Sequence, residues 1–206
     1  MRMFRRLLIM ATVIVAWPAA AAGLPNRPVP SLDLHRYAGR WYEIARLPMY
    51  FERKCLDAVV ATYTPNPDGT IHVHNTCRTS KGRMSADGVA RFKEHQPAAL
   101  EVRFAPDWLT WLPMAWADYW VIEVDPDYRW AVIGGPGRNH LWILSRQPTM
   151  DQALLRTLTE HSRQRGYPVD RLMMTTPADT PDRPPGDAPP RVHDDGVKPA
   201  EPQTHG

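Results

Sequence analysis

The stretch YAGRWYEIARLPMYFERKC, residues 37–55, sets Gly39 two places before Trp41 and then carries Glu43 and Arg46 into an apolar run. A glycine and a tryptophan at the entrance of a strand-like segment are an unusual pairing, and a buried arginine is costly unless it is partnered. Strict alternation sets Arg46 with Tyr42 and Ile44, and opposite Glu43 and Leu47. Arg46 then either points inward near a ligand head group or pairs on the outside, and alternation alone does not choose. Cys55 closes the stretch, and Cys77 is the other cysteine of the chain.

On both sides of this stretch, short strand-like runs alternate with turn signals. The pattern predicts strands over 40–48, 57–64, 70–77, 83–93, 98–105, 117–125, 128–135 and 139–146. PNPDG at 65–69, DPDY at 125–128 and GGPGRN at 134–139 supply turns between them. Regularly spaced strands without intervening helices fit a meander, a sandwich or an up-and-down barrel. One helix follows, TMDQALLRTLTEHSRQRG, expected over 149–165 with Thr149 as its cap, Gln152 in a capping box and Gly166 as its stop. Met150, Leu154, Leu155 and Leu158 form one apolar stripe, so the helix must pack on something.

If PNPDG makes the second turn with Tyr63 facing Gly69, Val59 faces Val73, Ala61 faces Ile71 and Cys55 falls opposite Cys77. That face is apolar and inward, while His72 and His74 lie on the wet face with Thr62 and Thr70. A Cys55–Cys77 disulfide is then sterically reasonable, and two cysteines in an exported chain favour a bridge over a metal or redox pair. The alternative is a reactive free thiol.

The ends read differently. Arg2, Arg5 and Arg6 precede the run LLIMATVIVAW and the small residues PAAAAG, the layout of a secretory signal over 1–22, cut before Gly23. Eleven residues before Pro18 fall short of the about 20 that span a bilayer. The first cysteine is Cys55, so no cysteine stands at the new terminus for a lipid anchor, and a periplasmic or secreted protein is expected. The chain carries 25 basic and 22 acidic residues, and losing the three leader arginines leaves 22 of each. The basicity belongs mostly to the leader, which removes the argument for a nucleic-acid partner. Residues 178–206 form a Pro-rich tail with almost no large apolar side chain and are expected to be disordered. Its Pro184-Pro185 and Pro189-Pro190 pairs would suit an interaction segment. What lies between, 23–177, is one domain.

GRWYEIARLP with its following FE is similar to the bacterial branch of the lipocalins and their apolipoprotein D-like relatives. DYWVIEVDPDYRWAVIGGPGRNHLWILSRQPT, residues 118–149, resembles the sixth to eighth strands of that family, ending in the arginine before the helix. The resemblance implies an all-β protein: an eight-stranded antiparallel up-and-down β-barrel with one C-terminal α-helix packed on its outside. It implies that Trp41 closes the narrow end, that Arg146 lies across it, and that Gly39 lets the chain pass close beneath the floor. Gly39, Trp41 and Arg146 are therefore structural.

A barrel of eight strands can hold one small ligand. Parity on the strands nominates Val59, Tyr63, Ile71, Val73, Phe92, Leu100, Val102, Phe104, Tyr119 and Trp142 as its wall, with Trp111 from the loop above. That loop, APDWLTWLPMAWADYW at 105–120, is tryptophan-rich. Its section 108–116 is read as a portal or a peripheral membrane contact, or as a plug in the mouth. An apolar interior suits an acyl chain: about 16 methylenes at roughly 0.8 kcal/mol each give on the order of 13 kcal/mol. Association costs of about 4–15 kcal/mol absorb much of that. The resemblance implies a fatty acid or a lysophospholipid as the small hydrophobic partner. No catalytic motif is present (no Gly-x-Ser-x-Gly, phosphate-cradling glycine loop or His-Glu-x-x-His), so neither catalytic residues nor a cofactor are expected. The alternatives are a lipocalin-fold enzyme and a haem or small-metabolite binder. His72 and His74 offer two nitrogens on one face but no third ligand, and they read as a solvated pair rather than a metal site.

Overall fold

The computed structural model describes residues 23–93, 96–104 and 116–177. The expected leader over 1–22 and the tail over 178–206 lie outside them. Eight antiparallel strands follow one another around a closed barrel: β1 (Gly39–Arg46), β2 (Asp57–Pro65), β3 (Ile71–Thr79), β4 (Gly82–Lys93), β5 (Gln96–Arg103), β6 (Ala117–Val124), β7 (Trp130–Gly134) and β8 (Trp142–Ser145). Each strand pairs with its neighbour in sequence, and β1 pairs with both β2 and β8, so no edge is left over. A short helix α1 (Leu34–Tyr37) precedes the barrel, and α2 (Gln152–Gln164) follows it.

Inward-facing side chains from all around the barrel form one cluster, which includes Trp41, Tyr63, Val73, Leu100, Val121 and Ile133. A second cluster lies outside the wall. There Leu155 and Leu158 of α2, with Met150 and Leu154 beside them, pack on Ile122, Val132, Leu141 and Ile143. This explains why β6 to β8 are apolar on both faces: one looks into the barrel and the other is covered by α2. The helix begins one turn-element later than expected. Asp151, not Thr149, accepts from the amides of Ala153 and Leu154, because a carboxylate placed there meets both free N–H groups and the positive helix end. At the other end Gly166, at φ +88°, closes a Schellman arrangement: its amide bonds Arg163 O and the amide of Tyr167 bonds Ser162 O.

At the start of β1 Trp41 and Arg146 meet. The Arg146 guanidinium lies 3.9 Å from the Trp41 ring centre. It donates to the carbonyls of Arg36 (2.6 Å), Arg40 (2.8 Å) and Tyr37 (3.1 Å), tying α1 to the floor. Gly39 is required by its backbone, at φ +92°, rather than by crowding, since a Cβ there would meet its nearest neighbour at an ordinary 3.5 Å.

Two further details depart from expectation. The β2–β3 ladder runs on through Pro65↔Ile71, so Tyr63 faces Val73 and Ala61 faces Asn75. The loop is Asn66-Pro67-Asp68-Gly69, with asparagine first, proline second and glycine last, and the Gly69 amide bonds Asn66 O. The slip is four residues, an even number, so every side chain keeps its face. Cys55 is consequently not a ladder partner of Cys77. It lies in the turn ahead of β2 and still reaches Cys77, with a disulfide spanning 5.5 Å between Cα atoms. A bulge between Asp57 and Val60, with Ala58 at φ 54°, brings the turn across.

The second departure is a ninth strand. Beyond the Tyr42↔Val60 pair, β1 and β2 separate, and β9 (Met173–Met174) fills the seam. Met174 pairs with Ala45, the Thr175 amide bonds Ile44 O, and the Ala58 amide bonds Thr176 O.

Candidate functional site

The barrel encloses a cavity of about 440 Å³, within the range of small-molecule sites. Trp41 marks the closed end where β1 starts, so residues at the far end of β1 and its following loop lie toward the mouth. The lower wall is apolar and aromatic. Tyr37 Oη and Tyr119 Oη share a hydrogen bond at 2.6 Å, and Tyr63 Oη and Tyr119 Oη share one at 2.8 Å. Burial, above all, pushes all three phenols up, Tyr63 to about 12, so they stay neutral.

The upper wall is different in kind. Glu43 on β1 and Glu52 on the loop after it both line the cavity, and Arg46 stands behind them. A bulge between Glu43 and Ala45 breaks the alternation of β1 and brings Arg46 beside Glu43 instead of opposite it. Arg46 is buried, and both of its Nη groups donate to the protein. Nη1 donates to Glu43 Oε1 (2.7 Å) and Thr175 Oγ1 (3.4 Å), and Nη2 donates to Cys55 O (3.1 Å). Its Nε lies 3.2 Å from Glu52 Oε2, an ion pair without an aligned hydrogen bond. Glu52 also accepts from Trp142 Nε1 at 3.2 Å, and the Thr175 hydroxyl donates to Glu43.

Two carboxylates thus share one guanidinium in a desolvated corner. Burial raises the Glu43 carboxyl against the pull of Arg46 and Thr175. Burial, then repulsion from Glu43, holds Glu52 at about 7 despite Arg46 and the Trp142 N–H. Across the cavity Asp118 lines the wall and pairs with Lys93 behind it. His140 lines it too, its imidazole pushed down by burial.

Of the residues nominated from sequence, Val59, Tyr63, Val73, Val102, Phe104, Tyr119 and Trp142 line this cavity. Ile71, Phe92 and Leu100 also face inward, but they pack in the core cluster rather than on the cavity surface. Trp111 lies outside the described residues, as does 108–115 of the tryptophan-rich loop. Trp116, the last of that section, lies under the guanidinium of Arg91 at 4.1 Å. Sequence reading missed Glu43, Glu52, Asp118 and His140. The nearest signal was charge inside an apolar run, at Glu43 and Arg46, but the bulge that brings the pair together leaves no mark in the residue pattern. His72 and His74 face outward, each bonding Asp87 Oδ1 (3.0 and 2.7 Å). Among the described residues no three His, Cys, Asp or Glu side chains are grouped to hold a metal ion.

The model of the lipocalin-like domain matches residues 32–177. Temperature-induced lipocalin-1 of Arabidopsis thaliana is 42% identical over 156 residues, covering 74% of this chain and 83% of that protein. The outer membrane lipoprotein Blc of Citrobacter freundii is 36% identical over 177 residues, covering 82% of this chain and 96% of that protein. Among solved structures, the cockroach allergen Per a 4 superposes with a TM-score of 0.57 at 18% identity, over 76% of this chain and 96% of that one. That last likeness is one of fold.

Proposed function

The chain belongs to the lipocalin family, and from that premise we propose that it is an exported carrier holding one fatty acid or lysophospholipid in its barrel. The observation that carries this reading is the enclosed cavity, whose wall is mostly apolar and whose ionisable groups gather toward the mouth. A single acyl chain fits such a wall tail-down, with its head near Glu52 and Asp118. Roughly 0.8 kcal/mol per buried methylene, set against association costs, gives micromolar to submicromolar affinity, suited to a carrier that must also release.

In this reading residues 1–22 direct export and the mature protein works in the periplasm or outside the cell, in lipid storage, transport or repair of the envelope. A relative named an outer membrane lipoprotein supports an envelope setting. Residues 108–116 serve as the portal or touch a membrane surface, and 178–206 is dispensable for binding. The carrier acts by binding alone, without chemistry on its cargo.

The direct test is to express the chain from its own gene, purify it natively from the periplasm, and extract bound molecules for mass spectrometry. One fatty acid or lysophospholipid per chain supports the proposal and names the cargo. A haem or a nonlipid metabolite transfers the protein to another branch of ligand chemistry. An empty barrel that also ignores added acyl chains ends the carrier reading.

A further inference from the structure

We propose that the head group selected by this cavity is cationic: the ligand is a single-chain amphiphile ending in an ammonium, held between Glu52, Glu43 and Asp118 near the mouth. The proposal rests on the carrier reading and sharpens it, because it separates ammonium heads from the carboxylate of a free fatty acid.

The argument is one of charge inventory. Among the described residues, the ionisable side chains lining the cavity are Glu43, Glu52, Asp118, His140 and the neutral tyrosines, with no lysine or arginine. The cations nearby stand behind this surface and are already engaged. Arg46 is spent on Glu43, Glu52, Thr175 and Cys55 O. Lys93 is paired with Asp118, and Arg103 lies over Trp116. A carboxylate head would therefore meet a cavity lined by three acidic side chains and no cation. An ammonium would find them as partners and would share Glu43 and Glu52 with Arg46.

A second observation points the same way. Asn75 lines the wall between Val73 and Cys77, and its Oδ1 is buried without a hydrogen-bond partner. A buried acceptor left unmatched is unfavourable until a donor arrives. The carboxyl groups and this amide oxygen are acceptors that a donor head group would meet.

The preference is tied to pH through Glu52. The groups facing it are Arg46 and Glu43 from β1, Tyr63 from β2, and Trp142 of β8, whose indole lies tilted against the His140 ring at 5.4 Å. Tyr63 is neutral, and the imidazole is held down by burial. Proton loss from Glu52 above about 7 adds one negative charge to the group that it forms with Glu43 and Arg46.

The test compares three ligands with one tail: dodecylamine, dodecanol and dodecanoate, each displacing the neutral fluorophore N-phenyl-1-naphthylamine from the delipidated full-length secreted protein. At about pH 8.5 the amine is expected to bind about tenfold more tightly than the alcohol, and the alcohol more tightly than the carboxylate. At about pH 5.5 the amine and the alcohol should converge as Glu52 takes up its proton. Glu52→Gln should remove most of the amine's advantage over the alcohol at the higher pH. Dodecanoate binding as well as or better than the other two overturns the proposal and leaves the carrier reading standing. If none of the three displaces the probe, both fall. The ranking in the unaltered protein decides the matter even if the variant does not fold.

Discussion

Arg46 faces two carboxylates, so the three charges rise and fall together. Replacing it as Arg46→Met keeps the length of the side chain but leaves Glu43 and Glu52 buried without a cation. Removing one partner of a buried ion pair typically costs about 3–5 kcal/mol, and urea unfolding at neutral pH should show a loss of that order. The loss should shrink on acidification, because both carboxyls are raised and take up protons early. Glu52 gives a cleaner sign. In the fold its carboxyl sits at about 7 against an ordinary 4.5, so between those values the folded chain holds a proton that the unfolded chain has released. Its contribution is therefore intact below about 4.5 and is lost as pH rises toward 7, at roughly 1 kcal/mol per pH unit. The depressed imidazole of His140 slopes the other way below its ordinary 6.5. The measurement is thus a difference: stability against pH for the parent and for Glu52→Gln, where the variant should lose the downward slope.

Elements are held by a few end-residues, and these are where local rules can be tested. Asp151→Ala removes the acceptor of two amides at the start of α2 and should lower stability by about 1 kcal/mol. Gly39→Ala places a side chain at φ +92° and should cost about 1–2 kcal/mol in the same assay, through the backbone and not through a clash. Most elements could be read in advance because their cause is local. Alternation exposes a half-buried strand, an apolar stripe exposes α2, and Pro67 and Gly69 expose a turn. What escaped had causes spread across the fold. The bulge that joins Arg46 to Glu43 lies in the pairing of β1 with β8, about 100 residues away in sequence, and a two-residue strand of methionines has no period to detect. The β2–β3 slip escaped because both registers keep the same faces, which left only the exact closure of the loop undetermined. The candidate site followed the same division: its apolar wall obeys parity, whereas Glu43 lies at a bulge, Glu52 on a loop, and Asp118 lines the cavity beside Tyr119 against parity.

At the scale of the whole molecule, the disulfide joins the mouth segment to the wall. Cys55 and Cys77 are 22 residues apart, both line the cavity, and Cys55 O accepts from Arg46. Replacing both as Cys55→Ser and Cys77→Ser should cost about 3 kcal/mol in the chain-entropy account, seen as a fall in Tm of roughly 6–12 °C by calorimetry. Hydrogen exchange should quicken most over 50–57, since Tyr50, Phe51 and Leu56 are exposed and contribute little packing of their own. The seam between β1 and β2 has a consequence of another sort. It is finished by Thr175, whose hydroxyl meets Glu43 across 132 positions of sequence. A ribosome adding roughly 5–20 residues per second delivers that partner on the order of ten seconds after β1 has emerged. Until then the first strand has an open margin beyond Tyr42 and an uncapped carboxylate. A nascent chain built this way completes the margin of its first strand only when nearly the last of its described residues has been made.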